Sequence, residues 1–297
     1  VTETAFGARP PLFRAGRPLK RWRYVGVFCE ELMACAALVQ VGPARQAFWA
    51  VYTREDRRLR ERTRMFPHRG AAVGLPPGRM SIRDRGLELD LSLREEDGIQ
   101  ARCAHRGGAR ASVQSATTPT GVRAPGPSVD GSALAVHEVW TRKQAGVRAY
   151  GTLTLDGGAA REIEGLATID DTAGYHARRT EWWWSAGVGV DENGVPLAWN
   201  LVQGVNDPPS GSERAVWVDG EPSEVVPVRF AADLSEIVAE DGSRVSFAAE
   251  AMRRRSENLL ILSSDYTAPF GTFAGVLPGG IRLASGLGVM EHHRARW

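Results

Sequence analysis

Apolar and polar residues alternate one for one along most of the chain. Leu87, Leu89, Leu91 and Leu93 are interleaved with Glu88, Asp90, Ser92 and Arg94, which puts leucines on one face of an extended strand and polar groups on the other. The same pattern predicts strands at Trp22–Phe28, Leu32–Val41, Ala47–Tyr52, Ile99–Ala104, Ala133–Trp140, Val147–Leu155 and Glu162–Ile169. A second series follows at Thr180–Val190, Leu197–Gln203, Arg214–Val218, Val225–Phe230, Val245–Ala249, Leu259–Asp265, Gly271–Leu277 and Ile281–Val289. Turn formers such as Asp156-Gly157-Gly158, Asp219-Gly220 and Pro278-Gly279-Gly280 separate them. Many short strands with regular punctuation indicate an all-β chain of antiparallel barrels or strongly curved sandwiches. No helical stripe exceeds three turns, and Ala248–Asn258 reads equally as a short helix or as strand and loop.

Length adds a division. At 297 residues two domains are expected, taken here as Val1–Gly157 and Gly158–Trp297. Ser112–Ser132, rich in Ser, Thr, Pro and Gly, is either an interdomain linker or a long loop of the first barrel. Charge excludes one partner class. The 37 basic and 35 acidic residues give a net +2 and are interspersed, whereas nucleic-acid binders concentrate positive charge. Cys29 and Cys35, six positions apart in one expected strand, would be about 20 Å apart, too far for a disulfide. A reducing, cytoplasmic setting is therefore expected. The first residues lack a signal-peptide layout and no apolar run is long enough to span a bilayer, so a soluble protein without membrane association is expected.

The chemistry concentrates in Gly165–Asp191, which holds Asp170, Asp171, His176, Glu181 and three consecutive tryptophans. On a strand Trp182 and Trp184 share one face, and Glu181, Trp183 and Ser185 share the other. Paired aromatics on one face serve either as core or as a pocket wall, and Asp170–Gly174 reads equally as a solvated turn. Trp199-Asn200 and Asn206-Asp207-Pro208-Pro209 furnish either a barrel mouth or a hairpin that caps itself. In Met290-Glu291-His292-His293 neighbouring histidines point to opposite faces and cannot share a metal. Glu291 and His293 do share a face, which looks into the second barrel or out to solvent. With no Gly-X-Ser-X-Gly, His-Glu-X-X-His or P-loop sequence, no hydrolase triad, metal or cofactor is expected.

The run from VWTRKQAG at Val139 through IEGLATIDDTAGYHARRTEWWWSAGVG to Val190 resembles a bacterial family of unknown function, domain-of-unknown-function family 2804. So do RWRYVGVFCEELMACAALVQVGPARQAFWAVYTR, AWNLVQGVNDPPSGSERAVWVDGEP and the closing GVMEHHRARW. That pattern is in turn similar to the carotenoid hydratase, tocopherol cyclase and AttH-like group of two-domain, lipocalin-related barrels. The group carries Gly…Asp…Gly…Trp-X-Trp where one barrel hands over to the other. The matching positions are Gly165, Asp170 or Asp171, Gly174, Trp182 and Trp184. Its usual Asp-His pair is absent, since here Thr-Ala-Gly-Tyr separates Asp170 and Asp171 from His176.

The resemblance implies two calycin-like barrels in tandem, holding a largely apolar small molecule such as an isoprenoid, polyketide or lipid. The ligand would sit inside a barrel or at the domain seam. Acid-catalysed hydration, cyclisation or isomerisation needs a carboxyl kept neutral by burial and an aromatic surface for the cation. Asp170, Asp171, Glu181 and His176 are the candidate catalytic groups. Trp182, Trp184, Tyr175, Trp199, Asn200, Asn206, Asp207 and Glu291 are the candidate ligand-binding set. The alternative is a carrier of apolar ligands with no chemistry.

Overall fold

The computed structural model describes residues 10–65, 72–95, 99–105, 112–113, 137–259 and 262–296. A small hairpin, β1 (Phe13–Arg14) and β2 (Arg17–Pro18), precedes the first sheet. That sheet contains β3 (Lys20–Phe28), β4 (Leu32–Val41), β5 (Ala44–Thr53), β6 (Arg58–Met65), β7 (Ala72–Gly74) and β8 (Arg79–Asp84). It continues with β9 (Leu87–Leu93), β10 (Ile99–His105), β11 (Ser112–Val113), β12 (His137–Leu155) and β13 (Arg161–Gly174). The strand order is β6-β5-β4-β3-β13-β12-β9-β8-β7, with β10 also on β12 and β11 on β10. The second sheet comprises β14 (Arg179–Val190), β15 (Pro196–Gln203), β16 (Ala215–Val218), β17 (Glu221–Glu224), β18 (Val228–Phe230), β19 (Glu236–Ala239), β20 (Arg244–Leu259), β21 (Leu262–Leu277) and β22 (Ile281–Arg296). Its order is β17-β16-β15-β14-β22-β21-β20-β19-β18.

In both sheets the last long strand pairs with the first, β13 on β3 and β22 on β14. Each meander therefore curls back on itself as an antiparallel half-barrel, and the two stand in tandem. Among the described residues no helix is long and apolar enough to cross a membrane.

Side-chain alternation then makes three apolar layers. Val25, Val27, Ala34, Ile82, Leu89, Leu91 and Ile169 fill the first half-barrel. Leu197, Trp199, Val216, Ile237, Phe247 and Phe273 fill the second. The third layer joins the halves: Tyr24, Phe28, Met33, Cys35 and Tyr52 of the first sheet pack on Trp184, Val188, Val202, Trp217 and Phe270 of the second. Charged ties cross the same seam, including Arg54 Nε to Glu250 Oε2 at 3.0 Å and Arg253 Nε to Glu61 Oε2 at 3.1 Å.

Several expectations change. Ala248–Asn258 is strand, inside β20. Asp170–Gly174 is no turn: it is the last part of β13, laddered to Tyr24–Lys20 on one side and to Lys143–Val139 on the other. The expected division at Gly157 falls in the turn between β12 and β13, both of the first sheet, and the chain changes sheets between Gly174 and Arg179. Most of Ser112–Ser132 lies outside the described residues, but β11 at its start and β12 beyond its end belong to one sheet. Cys29 and Cys35 do not share a strand, because the chain reverses between β3 and β4. Both are free and buried, and the Cys103 side chain lies outside the described residues.

Close approach fixes one glycine. A Cβ at Gly187 would sit 2.2 Å from Trp199 Cζ2 and 2.7 Å from the Leu287 carbonyl oxygen. Because one contact is backbone, a rotamer change cannot relieve it. Gly187→Ala is expected to destabilise the protein by roughly 1–3 kcal/mol, measured as a lower urea midpoint with unchanged slope.

Candidate functional site

Between the outward faces of the two sheets lies a cavity of about 210 Å³. Trp22, Tyr24, Val39 and Phe48 wall it from the first sheet, and Trp182, Trp184, Val202 and Tyr266 from the second. Two polar clusters interrupt this apolar lining, and Arg45, Gln46, Arg255, Glu257 and Arg296 also border the cavity.

The first cluster is centred on Lys143. Its Nζ lies 2.7 Å from Asp170 Oδ1 on the neighbouring strand and 3.4 Å from Glu213 Oε1 of the second half. Asp170 also accepts hydrogen bonds from Trp22 Nε1 at 2.9 Å and Thr172 Oγ1 at 2.8 Å. Asn206 Nδ2 donates to Glu213 Oε2 at 3.3 Å. Burial alone would lower the pKa of Lys143, but Asp170 and Glu213 outweigh it and hold the amine above its ordinary value. Burial pushes Glu213 up, Lys143 pulls it back, and Asp170 adds to the rise.

A β-bulge puts Lys143 there. Val147, Ala149 and Leu153 of β12 face the first interior, so counting back by twos would send Ala145 and Lys143 inward as well. The ladder shifts register between Ala145 and Val147, with Gly146 at φ +75°, a conformation that favours glycine. Ala145 consequently joins the seam layer and Lys143 lines the cavity. β20 repeats the device. Val245 and Phe247 face the second interior, the register shifts between Ala249 and Ala251, and Arg253 reaches the cavity.

The second cluster surrounds Glu291 on β22, beside Trp184 in the ladder. Trp182 Nε1 donates to Glu291 Oε1 at 2.7 Å, and the Tyr266 hydroxyl is a further partner. Burial raises the Glu291 pKa from 4.5 to about 7, against the lowering effect of both hydrogen bonds. His293, one step along the same face, bonds Ser264 Oγ at 2.8 Å and packs against Trp182 at 4.3 Å between ring centroids. Burial, with positive charge nearby, lowers its pKa to about 3, which keeps the ring neutral at pH 7.

Of the residues singled out in the sequence, Asp170, His176, Trp182, Trp184, Asn206 and Glu291 line the cavity. Trp182 and Trp184 do share a face, while Trp183 packs toward the second interior. The remaining six are used elsewhere. Asp171 is buried under Arg23, 2.8 Å from its Nη1, and Arg142, 2.7 Å from its Nη2. Glu181 is exposed and pairs with Arg294 and His292, which lower its pKa. Tyr175 donates to the Pro11 carbonyl at 2.6 Å, and Trp199 fills the second interior, bonding Ser185 Oγ at 3.0 Å. Asp207 caps Gly204 N at 2.8 Å. Asn200 stands behind the wall, accepting from Trp184 Nε1 at 2.8 Å and donating to the Glu213 carbonyl at 2.7 Å.

Sequence reasoning missed Lys143, Glu213, Tyr24, Tyr266 and Arg253 as site residues. One signal was present: Lys20 and Lys143 are the only lysines among 37 basic residues, and both are buried. Among the described residues no group of three or more His, Cys, Asp or Glu is placed to hold a metal ion.

Removing the cation would leave two buried acids facing each other. Lys143→Met is expected to cost roughly 3–5 kcal/mol at pH 7, and chemical denaturation against the wild type measures it.

No curated protein matches the chain significantly. Among solved structures it is similar to an AttH-type protein from Nitrosomonas europaea, with a TM-score of 0.51 and 12% identity over 92% of this chain and 91% of that one. It is also similar to kievitone hydratase from Nectria haematococca, with a TM-score of 0.49 and 10% identity over 94% and 88%. At such identity the first likeness is one of fold. Sequence matching places residues 9–297 in a single family, and the chain belongs to the domain of unknown function family DUF2804.

Proposed function

We propose that the seam cavity binds a largely apolar small molecule and that Glu291 transfers a proton to it, driving cofactor-independent hydration, cyclisation or isomerisation. The observation that carries this reading is the Glu291 carboxyl, buried in an aromatic cavity and poised near neutral pH. In that setting it is both an available acid at pH 7 and a usable base once deprotonated.

The Glu291 O–H gives its proton to one carbon of a C=C bond, and the other carbon becomes cationic. Trp22, Trp182 and Trp184 supply aromatic surface against that charge. Water then adds to the cation and releases a proton, which restores the carboxylic acid. Loss of a neighbouring proton to the Glu291 carboxylate instead gives an isomer, and attack by a second double bond closes a ring whose new cation loses a proton to the same carboxylate. The Lys143 cluster keeps fixed charge at the wall, and Asp170 adds to the rise in the Glu291 pKa.

A second reading, a carrier without chemistry, is favoured by the mainly apolar surface of the wall. The two readings separate on one variant. With a ligand recovered by organic extraction of the native protein, Glu291→Gln is expected to reduce turnover by about 10²–10⁴-fold while binding changes little. Absence of turnover in the wild type, with tight binding in both, would support the carrier.

A ligand-free test of the acid also exists. The native state of the wild type holds the Glu291 proton up to about pH 7, whereas the unfolded chain releases it near 4.5. Between those values the native state binds more protons, so the contribution of this group to stability falls as pH rises. Relative to Glu291→Gln, the wild type is expected to lose on the order of 3 kcal/mol between pH 4.5 and 7. Urea denaturation of both proteins at pH 5 and pH 8 measures the difference.

A further inference from the structure

Tyr24 lines the cavity, is 6% exposed, and meets the Trp184 ring edge-on at 5.3 Å between centroids. Among the described residues its hydroxyl makes no hydrogen bond of normal geometry. The Cys35 thiol beside it is a weak acceptor. Several polar groups of the cavity are engaged with one another: Lys143 with Asp170 and Glu213, Asn206 with Glu213, Glu291 with Trp182, His293 with Ser264. A buried hydroxyl left unmatched costs stability, and phenylalanine would fill the same aromatic wall without that cost. Burial holds the phenol far above its ordinary pKa, so it remains a donor across the working pH range.

Its position is defined on both sides. Tyr24 stands opposite Asp170 in the β3–β13 ladder, and Trp184, on which it packs, stands opposite Glu291 in the β14–β22 ladder. An acceptor held by Tyr24 is therefore next to the Glu291 region of the cavity.

We propose that the Tyr24 hydroxyl anchors one oxygen atom of the ligand, so that the cavity takes an oxygenated apolar molecule, a ketone, enone or alcohol, in preference to a hydrocarbon. This rests on the reading of the seam as the binding site, and it names the substrate class that reading left open. Tyr24 donates to the ligand oxygen, and the apolar remainder lies against Trp22, Trp182 and Trp184. Tyr24 thus selects the ligand and sets the position of its reactive bond relative to Glu291.

The test compares 2-undecanone with undecane by tryptophan-fluorescence titration of the wild type and Tyr24→Phe, with urea denaturation of both proteins. The wild type is expected to bind the ketone about tenfold more tightly than the alkane. Tyr24→Phe is expected to abolish that preference, keep the alkane affinity, and be as stable as the wild type or more so. Equal binding of both probes by the wild type, or a preference that survives in Tyr24→Phe, overturns the assignment and leaves the seam reading standing. Binding of neither probe overturns both. A marked loss of stability in Tyr24→Phe would show a hydroxyl bonded within the protein, and it overturns the assignment by itself.

Discussion

A strand in a curled sheet must dispose of two faces, and in this protein neither face of the central strands can be left to water. β3 and β4 carry Val25, Val27, Ala34 and Ala36 toward their own interior and Tyr24, Phe28, Met33 and Cys35 away from it. In the second half β14 and β15 do the same with Trp199 and Leu201 on one side and Trp184, Val188 and Val202 on the other. At roughly 25 cal/mol for each Å² of apolar surface removed from water, covering those outward faces outweighs the few ion pairs that decorate them. The two half-barrels therefore pack back to back, and everything polar at their junction has to be accommodated there.

That requirement explains the character of the cavity. Charges at the seam are held by partners from more than one strand: Lys143 by Asp170 and Glu213, and Arg253 by Glu61, with the Arg253 guanidinium also over the rings of Phe48 and Tyr266. Such groups are costly when buried alone and tolerable when matched. Glu291 differs in having hydrogen-bond donors and, among the described residues, no paired cation, and burial moves its ionisation up to about 7.

The sequence showed fold class and strand positions well, because period-two alternation is a local property. The same alternation separated Trp182 and Trp184 from Trp183. It did not show which half each strand serves: β13 belongs with the first sheet because it ladders with β3, a pairing across more than a hundred residues. Nor did it show the outward lysine, since the bulge at Gly146 reverses the parity on which any count from Leu153 depends. Asp170 and Asp171 were equivalent on paper; in the fold one meets Lys143 and the other Arg23 and Arg142. Tyr24 lies in the RWRYVGVF run that carries the family resemblance, but nothing in that run marks its hydroxyl, and only the fold shows that the weakly accepting Cys35 thiol is what lies beside it.

The cavity lies between the backs of two units that each possess a filled interior. Its shape is therefore set by residues that neither half needs for its own interior. A lineage could exchange the uncharged wall residues, and so change what fits the proposed site, while the filled interior of each half stays untouched. Such a joint lets the shape of a pocket vary separately from the two interiors, within the limits set by the charged groups matched across it.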